Sequence, residues 1–590
     1  MRHLTAFCFT SLLCLLHGAP AASFRLEMIY DHGSTINDGI SPDNLCDVNG
    51  TLYFSASDGT SAGDHGDELW RSNGTSVGTY LVKDISPGTS SSSPNDLVAL
   101  NGKLIFSAVV GTDRELYLHD PTLGTTSVLL DIRPGASAGN PANMTTIGNA
   151  VYFRATDGTY GQELWKTDGT AAGTLMVKDV IPGATGSDPT HFYGYGSYVY
   201  FLGGGSSNSE MWRTDGTTAG TALFKDINPT GNSGASYFQE LNGQLIFAAS
   251  DGSHGLELYK SDGTTTGTTL LKDIVTGSGT SNPFYFKKFG NYVYFSADDG
   301  ANGREIWRTD GTAAGTQLFK DIVPGSGSST HNNFTVVGDY MFFNASDGSH
   351  GAELWVTDGT ALGTSMVQDI RVGSGSGFGS GGGATAEING VFYFPGNDGT
   401  HGGELWAAYL VSDTRSYHSR SSYSYRTRMA HDAGLLSEMK LLDGVTGGER
   451  DLTMTFSARA STDLSCLASD RFEFTGASGD TFVLELSYDV ATALGLFGSE
   501  DGVRLLWWNG TAWTNAVEGN TGGTPVFVSG AYDGVLTLGH YGLDEATNTV
   551  WAVLNHNSSF GAGESVPEPS AVALLLSGLL TLCQRRRRSA

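Results

Sequence analysis

Between residues 24 and 410 the chain alternates short runs of β-branched and aromatic residues with clusters of Gly, Asp, Asn and Thr. The clearest copy reads Val151-Tyr-Phe-Arg-Ala-Thr, Asp157-Gly158, then Glu163-Leu-Trp165-Lys-Thr, Asp168-Gly169-Thr170, Gly173-Thr174 and Val177-Lys-Asp179. Short runs of this composition, bounded by turn residues, predict strands. Asp-Gly predicts a tight turn, because glycine accepts a positive φ and aspartate bonds its neighbouring backbone. The Glu-Leu-Trp element or a variant begins at Glu68, Glu115, Glu163, Glu210, Glu257, Glu305, Glu353 and Glu404, spaced by 47 or 48 residues with a last step of 51. Each copy holds four predicted strands, in the second copy 96–100, 103–108, 115–119 and 127–132. A four-stranded unit repeated at this period is a propeller blade.

The two ends of the repeat region complement each other. The last copy stops at 404–410 without its final strand, and Glu27-Met-Ile-Tyr-Asp31 matches that strand (compare Leu81-Val-Lys-Asp84). The predicted fold is all-β: an eight-bladed propeller of four-stranded blades over residues 23–410, closed by an N-terminal strand, since closure removes exposed sheet edges. An aromatic follows each Glu-Leu, Glu-Met or Glu-Ile (Trp70, Tyr117, Trp165, Trp212, Tyr259, Trp307, Trp355, Trp406). These rings are expected to pack between sheets; a ring of sugar-stacking aromatics is the alternative. Residues 411–430 scatter Arg415, Arg420, Arg426 and Arg428 among Ser and Tyr. They read as a linker, or as a basic strip for an acidic polymer. Residues 431–560 carry strand runs at 452–458, 481–488, 504–508, 526–529 and 549–555, which predict a β-sandwich-like domain. Within it, Trp507-Trp508-Asn-Gly-Thr-Ala-Trp513 reads as a hairpin.

Composition adds limits. Gly is frequent (82 residues) but aromatics make up 11%, which fits tight turns around a packed core and excludes a disordered Gly-rich chain. The net charge is −28, or −33 without Arg2 and the four residues Arg585 to Arg588. Such a chain repels nucleic acid and anionic lipid. Of five cysteines only Cys46 and Cys466 lie outside the terminal apolar runs, so neither a disulfide framework nor a zinc spacing exists. They read as two buried thiols, with a mutual bridge the alternative.

The ends read as addresses. Residues 1–22 combine Arg2, an apolar stretch and Ala19-Pro20-Ala21-Ala22, as a secretory signal peptide does. Residues 561–590 hold Val566-Pro567-Glu568-Pro569, the apolar run 571–583 and Arg585, Arg586, Arg587 and Arg588. This tail resembles the PEP-CTERM sorting signal of Gram-negative bacteria. The resemblance implies recognition by an exosortase, a transient membrane anchor with its basic end in the cytoplasm, and delivery to the cell surface or an extracellular polysaccharide matrix. The repeats resemble the bacterial ELWxxDGT family of propeller-like surface proteins, over about two thirds of the chain. That resemblance implies a fold and little about activity.

Candidate chemistry is sparse. Asp31, Asp84, Asp131, Asp179, Asp226, Asp273, Asp321 and Asp369 end the outer strands, and Asp58, Asp157, Asp251, Asp299, Asp347 and Asp398 end the second strands. Calcium, which takes oxygen ligands, is the one cofactor they suggest. No copy has the Asp-x-Asp-x-Asp-Gly type of segment that a calcium loop needs, so each Asp is expected to cap its own turn. His65, His254, His350 and His401 recur in the same loops. With Asp157, Asp251, Asp347 and Asp398, the last three histidines are the metal candidates; structural or solvent-facing roles are the expectation. No catalytic motif or unique constellation is visible, so no catalytic residue is assigned. The chain reads as an exported, monomeric, non-catalytic surface or matrix protein that binds a polysaccharide or surface protein. A propeller glycan hydrolase or lyase is the alternative.

Overall fold

The computed structural model describes residues 23–419 except 33–38, 59–63, 136, 207, 330 and 380–384, and beyond Ser419 chiefly the strands named below. Residues 1–22, the sorting motif Val566 to Pro569, Arg585 to Arg588 and Cys466 lie outside the described residues. Among those described, no helix is long and apolar enough to cross a membrane.

Residues 25–409 form one unit. It is an eight-bladed propeller of four-stranded antiparallel blades, as the repeat predicts. The inner strands of blades 1 to 8 are Asp43–Val48, Asn95–Leu100, Ala142–Ile147, Thr190–Tyr195, Ser236–Leu241, Phe284–Phe289, Asn332–Val337 and Ala386–Ile388. Each inner strand touches the next, and the eighth touches the first, so they surround a common axis. The strand Ser23–Tyr30 pairs with Glu404–Ser419 and supplies the outer strand of blade 8. Tyr30 also packs 5.9 Å from Trp70 of blade 1, so the closing strand joins the last blade to the first.

The repeated phrase is explained by local bonds. In blade 3, Asp168 Oδ1 accepts from Thr170 N (2.9 Å) and Thr170 Oγ1 (2.7 Å). The Thr167 and Thr174 hydroxyls bond each other at 2.7 Å, and Thr174 Oγ1 donates to Thr170 O at 2.7 Å. Gly169 takes φ +89, and a Cβ at Gly173 would fall 2.1 Å from Asp168 Oδ1. The Asp-Gly-Thr-x-x-Gly-Thr phrase is thus one hydrogen-bonded turn between third and outer strands. Trp70, Tyr117, Trp165, Tyr259, Trp307 and Trp355 are buried, and Trp212 and Trp406 partly so. Trp165 packs with Leu100, Ile105, Leu116 and Ile132 of blade 2, the inter-sheet role expected of it. Full burial of side chains this large stabilises by about 2–3 kcal/mol each.

The second unit includes residues 410–431 and 436–590. Its strands form two sheets. One runs through Arg450–Ser457, Arg471–Thr475, Ser558–Gly563, Arg504–Trp508 and Trp513–Asn515; the other through Ser422–Ala430, Leu436–Val445, Phe482–Ser487, Thr549–Leu554, His540–Asp544 and Val526–Ser529. Trp551, Val550, Leu554, Leu505 and Leu506 are buried, so side chains from both sheets fill a sandwich core. Trp508 pairs with Trp513 in the expected hairpin. In the segment 411–430, read as a linker, the described residues 411–419 and 422–430 are extended strand: Ser412 to Ser419 pair with Arg450 to Ser457, and Ser422 to Ala430 pair with the strand Leu436–Val445. Its Ser, Thr and Tyr suit a pleated strand, and the interspersed Arg residues masked that pattern. Cys46 is a free thiol, pushed up to about 12 chiefly by burial.

Candidate functional site

The candidate loop residues do close their own turns. Asp157 Oδ1 accepts from Thr159 N (2.8 Å) and Tyr160 N (3.0 Å). Asp251 Oδ1 accepts from Ser253 N (2.9 Å) and His254 N (2.8 Å), while His254 Nδ1 meets Asp251 Oδ2 at 2.9 Å. The same pairing joins His65 to Asp58 (2.6 Å), His350 to Asp347 (2.8 Å) and His401 to Asp398 (2.7 Å). Each pair stays in its own blade. Among the described residues one carboxylate trio has ligand atoms within 4.8 Å of each other, Asp113, Glu115 and Asp131 of blade 2; of these only Asp131 belongs to the repeated aspartates that suggested calcium. Glu115 already accepts from Ile132 N and Gly139 N, at 2.7 and 2.6 Å. That leaves the trio short of the six to eight oxygens calcium takes.

These pairs set a pH signature. Hydrogen bonds to their aspartates raise His254, His350 and His401 above 6.5. Burial, the largest influence on Asp251, pushes it up, but bonds from the His254 backbone and ring outweigh it and leave about 2. His331 behaves oppositely: it is buried, its Nδ1 lies 2.7 Å from Ser329 Oγ, and desolvation lowers it to about 3. A group that binds its proton more tightly when folded stabilises fully below its unfolded value and loses that contribution as pH rises through the folded one. The three paired histidines therefore contribute below 6.5 and fade above it. Neutral His331 favours the fold above 6.5 and opposes it as pH falls below. Selective histidine NMR should show the three pairs titrating above 6.5 and His331 still neutral at pH 5. Titration of His331 alongside the others would refute its burial.

Two features escaped the sequence reading. The first is the role of the repeated glutamate. Glu163 is fully buried; Val180 N and Ser187 N donate to it at 2.9 Å, and Ser187 Oγ at 2.6 Å. It ties the end of one blade's outer strand to the connection entering the next blade. Glu68, Glu257 and Glu305 bond equivalent backbone positions and serines. Glu404 receives His32 N at 3.3 Å, and Ile40 replaces the serine; burial pushes this carboxyl up to about 8.

The second is a ring of bulged residues. In blades 1 to 7 the inner strand shifts register after its first residue. The bulged residue takes a left-handed φ of 54 to 58°: Asn44, Asp96, Asn143, His191, Tyr237, Tyr285 and Asn333. The blade 8 equivalent lies outside the described residues. All seven stand at the strand ends that also carry the Asp–His loops. The tryptophans and glutamates repeat because packing demands it, whereas this inner ring varies from blade to blade. Blades 1 and 2 make it polar and acidic, with a cleft of about 410 Å³ lined by Asp43, Asn44, Asp67, Asn95 and Arg114. Burial pushes Asp67 up to about 6, with Asp43 adding to the shift and Ser93 and Arg114 opposing it. Blades 4 to 6 make the ring aromatic.

No protein-family model matches the chain, and no curated protein does. Solved structures match at a distance. A prolyl endopeptidase is 12% identical, with 69% of this chain and 55% of that one covered and a TM-score of 0.40. The β-propeller domain of the Trilobed protease from Pyrococcus furiosus is 10% identical over 56% of this chain and 98% of that one, with a TM-score of 0.35. An oligogalacturonate lyase in complex with manganese is 13% identical over 52% and 86%, with a TM-score of 0.33. The chain spans little more than half the length of the prolyl endopeptidase.

Proposed function

We propose that this is an exported, exosortase-sorted surface or matrix protein that uses its propeller as a non-catalytic binding scaffold for a polysaccharide. The observation that carries the binding reading is the inner ring: side chains diverge in chemistry at one position while the packing residues around it repeat. Divergence on a rigid repeated frame is how such a scaffold acquires a specific ligand. The export part rests on the signal-like residues 1–22 and on the Pro567-Glu568-Pro569 motif followed by the apolar run and Arg585 to Arg588. Intact mass of the cell-surface protein tests it, and recovery of those four arginines on the mature form would sink it.

One observation favours the second reading, a glycan hydrolase or lyase. Asp67, pushed up to about 6 beside Asp43, is a carboxyl able to hold a proton near neutral pH. The mature chain should retain extracted matrix polysaccharide in co-sedimentation and release no new reducing ends or unsaturated products. Turnover that Asp67→Asn abolishes, with binding intact, would establish the enzyme instead.

A further inference from the structure

We infer that the inner strands of blades 4, 5 and 6 form a binding ledge for the pyranose rings of an uncharged glycan; the inference rests on the binding reading above. Three successive bulge positions hold His191, Tyr237 and Tyr285, where blades 1, 2, 3 and 7 hold Asn44, Asp96, Asn143 and Asn333. A left-handed φ suits asparagine and aspartate and is unfavourable for tyrosine. Tyr237 (φ 55) and Tyr285 (φ 56) are therefore held there by the fold rather than by local preference.

The rings form one continuous surface. His191 and Tyr237 meet edge to face with centroids 5.3 Å apart, Tyr237 and Tyr285 are 5.9 Å apart, and Phe284 lies 5.5 Å from Tyr237. Arg304 stacks 4.8 Å from the Phe284 ring centre, its guanidinium held by Asn282 O at 2.8 Å. The ledge is thus fixed before any ligand arrives, which lowers the entropy lost on binding. It is also open: Tyr285 is 41% exposed and His191 is exposed.

The exposed Tyr285 and His191 rings, with amides on neighbouring inner strands, match sugar rings, whose C–H faces stack on single aromatic rings and whose hydroxyls bond polar groups. Gln239 and Asn333 stand on the same and neighbouring inner strands, and the Asn44, Asp96 and Asn143 side of the ring continues the polar rim. A purely apolar peptide would leave these polar groups unmatched. A net charge of −28 disfavours a polyanion at long range, which points to a neutral glycan.

The test uses the whole mature chain and calorimetry with cellohexaose, xylohexaose, mannohexaose, maltohexaose and chitohexaose, together with hexagalacturonate and a proline-rich peptide. At least one neutral hexasaccharide should bind. Tyr285→Ala should then weaken it about tenfold or more with the melting temperature unchanged, and Tyr285→Phe should retain it. His191→Ala, at an exposed position, gives a second readout if Tyr285→Ala fails to fold. The inference falls if no neutral sugar binds, if only the uronate or the peptide binds, or if the ledge variants leave affinity unaltered. Retention of matrix polysaccharide by the ledge variants would overturn the ledge while leaving the scaffold function standing.

Discussion

Replacing Glu163 by alanine is expected to destabilise the propeller by about 3–5 kcal/mol, the range for breaking a buried charged network from one side. The carboxylate accepts from Val180 N, Ser187 N and Ser187 Oγ, and its removal leaves these buried donors without an acceptor. Burial pushes the carboxyl up, and the three bonds pull it only part of the way back. The loss is one-sided: alanine removes the acceptor, while the N–H groups stay dry. Glu163→Gln should fall between, because an amide keeps one acceptor oxygen but turns an N–H₂ toward donors. Urea unfolding followed by tryptophan fluorescence measures the difference. A loss below about 1 kcal/mol for Glu163→Ala would mean that water replaces the carboxylate and that the latch is dispensable.

Deleting residues 23–31 should have a larger effect still, at about 5 kcal/mol or more, because it removes a whole ladder as well as buried side chains. Ile29 is 5% exposed, Tyr30 packs on Trp70, and Arg25 stacks 5.2 Å from the Tyr409 ring centre. The deletion leaves an open edge on the strand Glu404–Ser419, a template for pairing with another chain. Thermal melting with light scattering should show an earlier transition and self-association. Adding a synthetic peptide of residues 23–31 should reverse part of both by strand addition. An unchanged melt would show that the eighth blade stands with three strands and that closure does not govern stability.

The blade count, the closing strand and the turn phrase were legible in the sequence because each is local and repeated. Period alone gave the eight blades. Asp168, Thr170 and Gly173 specify their turn through neighbours a few residues away. The loop aspartates could be read as turn caps for the same reason. The strands of residues 431–560 were also found where aromatic and β-branched runs were dense, as at Arg504–Trp508 and Val526–Ser529. Arg471–Thr475 and His540–Asp544 were missed although they alternate, since each offers only two large apolar side chains in five residues.

The tertiary structure alone decided the rest, because it concerns groups distant in sequence. Glu163 meets Ser187 only after an outer strand and a turn have folded back. His331 loses its proton affinity only where chain from elsewhere buries it. His191, Tyr237 and Tyr285 stand 46 or 48 residues apart in a repeat, each an unremarked departure in its own copy. They become neighbours because the ring brings equivalent positions of successive inner strands together around one axis. Local propensity thus determined the blades, and closure of the ring determined which variable residues face each other.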